Sequence, residues 1–139
     1  MKQKGNTYYF IGIGGIGMSA LAKHLFDLGN KVMGYDKTPS AITSHLMDMG
    51  IPVIFDTSVT AIPEDYCQQD TQIIYTPAVP MDHPQLIFFR TKGNNIKKRA
   101  LVLGEITKKS TVFAIAGTHG KTTTASFLTH LFAYLNLEF

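Results

Sequence analysis

A doubly wound α/β fold on a parallel sheet is the architecture this sequence predicts, on three observations. Apolar, β-branched runs alternate with stretches of helical periodicity. Two of these runs pass straight into glycine-rich turns that open helices, at Gly12-Ile13-Gly14-Gly15-Ile16-Gly17 and at Gly117-Thr118-His119-Gly120-Lys121-Thr122-Thr123-Thr124. Strands alternating with helices at this spacing imply βαβ units, which wind in parallel.

The elements follow in order. Thr7-Tyr8-Tyr9-Phe10-Ile11 is aromatic and β-branched and reads as a buried first strand. From Met18, apolar residues recur at Leu21, Ala22, Leu25 and Leu28, a helical stripe that Gly29-Asn30 stops. Lys31–Tyr35 is a second strand ending at Asp36. Thr38-Pro39-Ser40 introduces a helix over Ala41–Met49, closed by Gly50, and Ile51–Ile54 is a short third strand. Residues 56–70 are polar, contain Pro63 and read mostly as loop. Thr71–Tyr75 is a fourth strand, broken by Pro77 and Pro80. Asp82 can cap a helix with Pro84 in its first turn, running to about Lys92 before Gly93-Asn94-Asn95. Ile96–Arg99 is a weak strand and Leu101–Lys109 a helix. Ser110–Ala116 is a last strand, and from Lys121 the residues Ala125, Leu128, Leu131, Phe132 and Leu135 mark an amphipathic helix. The domain boundary falls around residues 107–111. Residues 1–108 make one small domain, and residues 109–139 read as the opening strand, loop and helix of a second, truncated one.

Bulk properties narrow the function. The 139 residues are 45% hydrophobic and 17% charged, which is globular rather than disordered. Net charge is only +3, with basic residues scattered apart from Lys97-Lys98-Arg99 and Lys108-Lys109. A nucleic-acid binder concentrates more charge on one face, so these clusters read as solvated surface and no nucleic acid is expected. No run approaches the roughly 20 apolar residues of a membrane span, and no signal-peptide core opens the chain. Cys67 is the single cysteine, so no internal disulfide forms and no zinc spacing exists. The cytoplasm is the expected setting.

Gly12, Gly14 and Gly17 fit the G-x-G-x-x-G fingerprint of a Rossmann-like fold. Gly12 allows the tight turn, Gly14 the approach of a diphosphate, and Gly17 close packing of helix on strand. Gly15 adds another position without a side chain. The helix N-terminus then offers free N–H groups and positive dipole charge to phosphate oxygens. Asp36, at the end of the second strand, stands where a carboxylate accepts a ribose hydroxyl. The fingerprint points to a dinucleotide or a nucleotide diphosphate without choosing between them.

Gly120-Lys121-Thr122 is the tail of a P-loop. Loop N–H groups would surround a β-phosphate, Lys121 would reach the β/γ-phosphates, and the Thr122 hydroxyl would ligate Mg²⁺. Ile115 occupies the place of the usual first glycine, and Gly117 comes two residues later. His119 could touch a phosphate or shape the turn.

This variant loop resembles the ATP loop of the Mur ligases of peptidoglycan synthesis. The opening run Phe10-Ile11-Gly12-Ile13-Gly14-Gly15-Ile16-Gly17-Met18-Ser19-Ala20-Leu21-Ala22 and the turn Ile73-Ile74-Tyr75-Thr76-Pro77-Ala78-Val79-Pro80 are similar to segments of the member that couples L-alanine to UDP-N-acetylmuramate. A recycling member that uses a tripeptide shares the second loop but departs from the first. Thr76-Pro77 stands where the family commonly has two serines. The resemblance covers the N-terminal domain and the start of the central ATPase domain. It implies an ATP-dependent amide ligase working through an acyl phosphate, with UDP-N-acetylmuramate, ATP and L-alanine as partners and Mg²⁺ as cofactor. Carried over by residue, Gly12, Gly14, Gly15, Ile16, Gly17, Asp36 and Thr76 would serve the UDP-sugar. Gly117, Thr118, His119, Gly120, Lys121, Thr122 and Thr123 would serve ATP, with Lys121 and Thr122 acting in catalysis. The remaining parts of such a ligase would lie beyond Phe139, so residues 1–139 alone are expected to bind the UDP-sugar without catalysing. A nicotinamide-dependent oxidoreductase is the competing reading, and it leaves the second loop unexplained.

Overall fold

Strand Thr7–Ile11 (β1) occupies the centre of a parallel sheet in the computed structural model, which describes residues 5–108 and 111–137. Lys31–Tyr35 (β2) and Val53–Ile54 (β3) extend the sheet to one side, and Gln72–Tyr75 (β4) and Ile96–Lys98 (β5) to the other. The order is β3-β2-β1-β4-β5. Phe10 faces Gly34 across one ladder and Ile74 across the other. Among the described residues every strand pair is parallel, as the spacing predicts.

Side-chain alternation then assigns the layers. Phe10, Val32, Val53 and Ile74 point to one face. There they meet helices Ile16–Asp27 (α1), Ala41–Asp48 (α2) and Arg99–Thr107 (α4) through Met18, Leu21, Ala22, Leu25, Leu46 and Val102. Tyr9, Ile11, Met33, Tyr35, Ile73 and Tyr75 point to the other face, against Leu86 and Phe89 of Pro84–Thr91 (α3). A strand covered on both faces must be apolar at successive positions, which is why β1 and β4 read as continuous runs. Each fully buried Ile, Leu or Phe contributes about 1.5–3 kcal/mol.

Several boundaries move, each for a local reason. Helix α1 begins at Ile16, two residues before its first buried apolar residue, because its first turn faces the glycine loop. Asp82 does not cap α3. The cap is His83, extended at φ −58 and ψ 127, with no side-chain bond. A residue before proline is excluded from helical geometry, so the helix starts at Pro84 itself. Arg99 leaves the weak strand and becomes the first residue of α4. The third strand shrinks to Val53–Ile54, although the Pro52 carbonyl still accepts the Gly34 N–H at 3.1 Å.

Residues 56–70 are more than loop. Two 3₁₀ turns, Val59–Ala61 and Glu64–Tyr66, lay Ile62 and Tyr66 on the second face. The buried Tyr9 hydroxyl donates to Gln85 Oε1 at 2.9 Å, and Gln85 Nε2 donates to the carbonyls of Asp56 and Ser58 at 3.0 and 3.3 Å. A sheet residue thereby fixes the loop at 56–58 through a buried amide whose polar atoms are paired.

The chain divides into two compact units, residues 1–106 and 107–139. In the second unit Lys121–Tyr134 forms a helix (α5), as its periodicity predicts. Residues 111–117 do not form the expected strand. A strand is defined by its ladder, and no described residue of this unit offers a second strand to pair with. Lys109 and Ser110, the ends predicted for the α4 helix and the last strand, lie outside the described residues. Phe113 packs edge-on against Phe132, ring centroids 5.1 Å apart.

Candidate functional site

The polypeptide turns sharply after β1. Gly12 sits at φ +88, and its N–H and that of Ile13 both donate to the Tyr35 carbonyl, at 2.8 and 3.0 Å. The turn is thus pinned to the end of β2. A Cβ on Gly12 would stand 2.8 Å from Thr76 Cγ2, so glycine is required both by its dihedral and by its neighbour.

Asp36 shapes the next step. Its Oδ2 accepts the Gly14 N–H at 2.7 Å and its Oδ1 accepts the Thr38 N–H at 3.2 Å. Beneath the loop lies Thr43, placed by the capping box of α2. Ser40 Oγ accepts the Thr43 N–H at 3.2 Å, and the Ser40 N–H donates to Thr43 Oγ1 at 2.8 Å. Gly15 is the N-cap of α1 and no side chain caps this helix. The N–H groups of its first turn therefore have no partner within the helix.

Above the carboxyl ends of β1, β2 and β4 opens a cavity of about 860 Å³. This is where strand order reverses, between β1 and β4, and where doubly wound sheets bind ligands. Of the sequence-predicted residues, Gly12, Gly15, Gly17, Asp36 and Thr76 line it. Gly14 is set against Asp36 and Thr43 instead, where a Cβ would lie 2.8 and 2.9 Å from their side chains. The Ile16 side chain lines a separate apolar groove between α1 and α2. At Gly17 the nearest atoms to an added Cβ belong to the Arg99 guanidinium, the mobile end of a long side chain.

Sequence reasoning missed Lys37, Thr57, His83 and Arg99, all of which border the cavity. Lys37 adjoins Asp36 and needed only the strand end to be noticed. Arg99 was hidden in a basic cluster that reads as surface. Its neighbour Lys97 does behave so, pairing with Glu105 at 2.7 Å. Thr57 and His83 carry no sequence signal, since long-range packing brings them there.

The His83 ring lies against Tyr35, centroids 4.8 Å apart, and its two ring nitrogens are buried without a hydrogen-bond partner. Burial holds its pKa below the ordinary 6.5, although Asp82 opposes the shift. Below pH 6.5 the unfolded chain then binds a proton that the folded chain refuses. This contribution to stability is complete above that pH and is lost as pH falls through the depressed folded value. Thermal unfolding midpoints are expected to decline from pH 6.5 downward, with a shallower decline in His83→Phe. Equal slopes for the two chains would refute this.

In the second unit, Gly120 adopts the left-handed conformation at φ +78 and is the N-cap of α5, again without a side-chain cap. Lys121, Thr122 and Thr123 form the first turn of the helix. Lys121 Nζ folds back and donates to the Gly117 carbonyl at 2.6 Å, closing the loop over Thr118 and His119. An open helix N-terminus with a lysine arched over it suits a phosphate. No group of three or more His, Cys, Asp or Glu side chains able to hold a metal occurs among the described residues, and no described helix is long and apolar enough to cross a membrane.

A parallel sheet in 3-2-1-4-5 order, with a glycine turn and a cavity at its reversal point, defines the Rossmann-like class of doubly wound folds. Residues 7–111 match the model of the Mur ligase family, catalytic domain. The chain belongs to the Mur ligase family. It is 54% identical over 123 residues to UDP-N-acetylmuramate–L-alanine ligase of Flavobacterium johnsoniae, covering 88% of this chain and 27% of that one. Against the ligase of the same name from Porphyromonas gingivalis W83 it is 52% identical over 124 residues, again 88% and 27%. The crystal structure of UDP-N-acetylmuramate–alanine ligase from Thermotoga maritima superposes with TM-score 0.83 at 34% identity, over 94% of this chain and 30% of that one. That of UDP-N-acetylmuramate:L-alanyl-gamma-D-glutamyl-meso-diaminopimelate ligase from Neisseria meningitides gives 0.83 at 25% identity, over 94% and 40%. The chain thus spans about a quarter to two fifths of the length of these relatives.

Proposed function

We propose that residues 1–108 form the UDP-sugar-binding domain of an ATP-dependent ligase joining L-alanine to UDP-N-acetylmuramate in the cytoplasm, and that residues 109–139 begin its ATP-binding domain. The observation that carries this reading is the cavity at the sheet's reversal point, faced by the uncapped N-terminus of α1 and by Asp36. The names of the relatives supply the chemistry: those of Flavobacterium johnsoniae and Porphyromonas gingivalis are alanine ligases. A recycling ligase is the second reading, favoured only by the equal TM-score of the Neisseria structure, at lower identity.

On this reading the residues divide their work. The N–H groups of Gly15, Ile16 and Gly17 meet the diphosphate. Asp36 holds the loop through Gly14, and its remaining lone pairs and Thr76 are available to the nucleoside or sugar. In the second unit the loop from Gly117 to Thr123 would cradle the triphosphate, Lys121 would neutralise charge on the transferring phosphoryl group, and the Thr122 hydroxyl would hold Mg²⁺. When bound, the metal neutralises phosphate charge during transfer. The lactyl carboxylate would become an acyl phosphate, and the amine of L-alanine would displace phosphate from it.

Calorimetric titration with UDP-N-acetylmuramate, against UDP-glucose and NADH, tests the reading. Selective binding of the muramate supports it. Binding of NADH alone would replace it with an oxidoreductase.

A further inference from the structure

Arg99 lies among the positive ends of two helices, with no carboxylate paired to it among the described residues. It follows β5 directly, and the register Tyr75↔Lys98 delivers it to the same end of the sheet as Thr76. Its guanidinium lies against the first turn of α1. A Cβ on Gly17 would collide with Nη1 and stand 2.9 Å from Cζ. The N-terminus of a helix carries about half a positive charge. Arg99 meets two of them, that of α1 and that of α4, whose first residue it is. Neither first turn contains an acidic side chain. Among the described residues no carboxylate pairs with Arg99, while Lys97 beside it takes Glu105. The cavity's own carboxylate, Asp36, is engaged by the N–H groups of Gly14 and Thr38. Lys37 adds a further positive charge at the rim.

Stability alone would not select this arrangement, since an arginine is the wrong charge for a helix N-terminus. A bound dianion reverses the balance, because the same cation and the same N–H groups then converge on one ligand. The planar fork of arginine suits phosphate oxygens better than a lysine would. We propose that Arg99 is an anion-binding residue of this cavity, engaging the diphosphate of the sugar nucleotide together with the N–H groups of α1. The inference rests on the nucleotide-diphosphate reading of the cavity. It adds a residue that the glycine fingerprint does not contain.

The test is titration of the 139-residue chain and of Arg99→Met, Arg99→Lys and Lys97→Met with UDP and with UDP-N-acetylmuramate, alongside thermal unfolding of each without ligand. Arg99→Met is expected to weaken both ligands by about tenfold to a hundredfold, the worth of a charged hydrogen bond. Arg99→Lys should recover part of that, and Lys97→Met should bind as the parent does. The ligand-free unfolding midpoint of Arg99→Met should hold or rise, because an unfavourable charge has been removed. A merely structural arginine would lower it. Unchanged affinity in Arg99→Met, or lost affinity together with a lowered midpoint, would overturn the proposal. A parent chain that binds neither UDP nor the muramate would remove the diphosphate reading first and this inference with it.

Discussion

A Gly34→Val chain is expected to lose about 3 kcal/mol of stability or more, a large share of the roughly 5–15 kcal/mol that holds a domain together. Gly34 lies on β2 between Phe10 and Val53. A Cβ there would stand 2.7 Å from the Phe10 carbonyl oxygen, 2.8 Å from Ile13 Cδ1 and 2.9 Å from Ile13 Cβ. The carbonyl cannot yield, because Phe10 is paired on both sides at the centre of the sheet. Only Ile13 can move, and it is the fully buried anchor between Gly12 and Gly14. Relief of the clash therefore comes through the glycine loop, so sugar-nucleotide binding should fall along with stability. The unfolding midpoint should drop by more than roughly 12 °C, at about 4–8 °C per kcal/mol for a domain of this size. Gly104→Ala, in the interior of α4 with nothing within 4 Å of the added carbon, is the matched control and should hold its midpoint. A Gly34→Val midpoint within about 4 °C of the parent would show that the sheet absorbs the methyl groups and would defeat the argument.

The same pair of residues shows what could be read from sequence. Gly12 and Gly14 announce a turn because glycine clusters between an apolar strand and a helical stripe have few other uses, and the parallel winding of the sheet follows from the alternation of periods. Gly34 does not announce itself. It reads as one more strand residue, and only the register that sets it beside Phe10 and under Ile13 explains it. Arg99, which lies beside Gly17, is far away in sequence and no local pattern foretells the contact. His83 and Thr57 reach the cavity through α3 and the Gln85-bound loop, a route set by packing rather than by any local pattern. Over its described residues, 111–116, the predicted last strand failed on opposite grounds. Its composition suits a strand, but composition supplies no ladder partner. Sequence thus locates the parts of a site whose chemistry is in the backbone, and it misses the side chains that converge from other elements.

Asp36→Ala is expected to combine a loss of roughly 2–4 kcal/mol of stability with a fall in sugar-nucleotide affinity beyond about a hundredfold. The carboxylate receives two backbone donors, Gly14 N–H at 2.7 Å and Thr38 N–H at 3.2 Å. Hydrogen bonds to a charged acceptor are each worth about 1.5–3 kcal/mol, and a donor left without one keeps its desolvation cost. The Gly14 bond is the more consequential, because it is the tether from the tip of the glycine loop to the end of β2. If Asp36 served only as a ribose acceptor, alanine would abolish binding and leave the free protein as stable as before. The geometry gives it the loop as well, so both quantities should move together. Amide hydrogen exchange separates the two roles without any ligand. Gly14 and Thr38 should exchange faster in Asp36→Ala than in the parent, while Ile73 and Ile74 on β4 stay unchanged. Asp36→Asn keeps one acceptor oxygen and should fall between the two in exchange and in affinity. Unaltered protection at Gly14 in the alanine variant would mean that the loop holds itself, through the Gly12 and Ile13 bonds to Tyr35, and would confine Asp36 to the ligand.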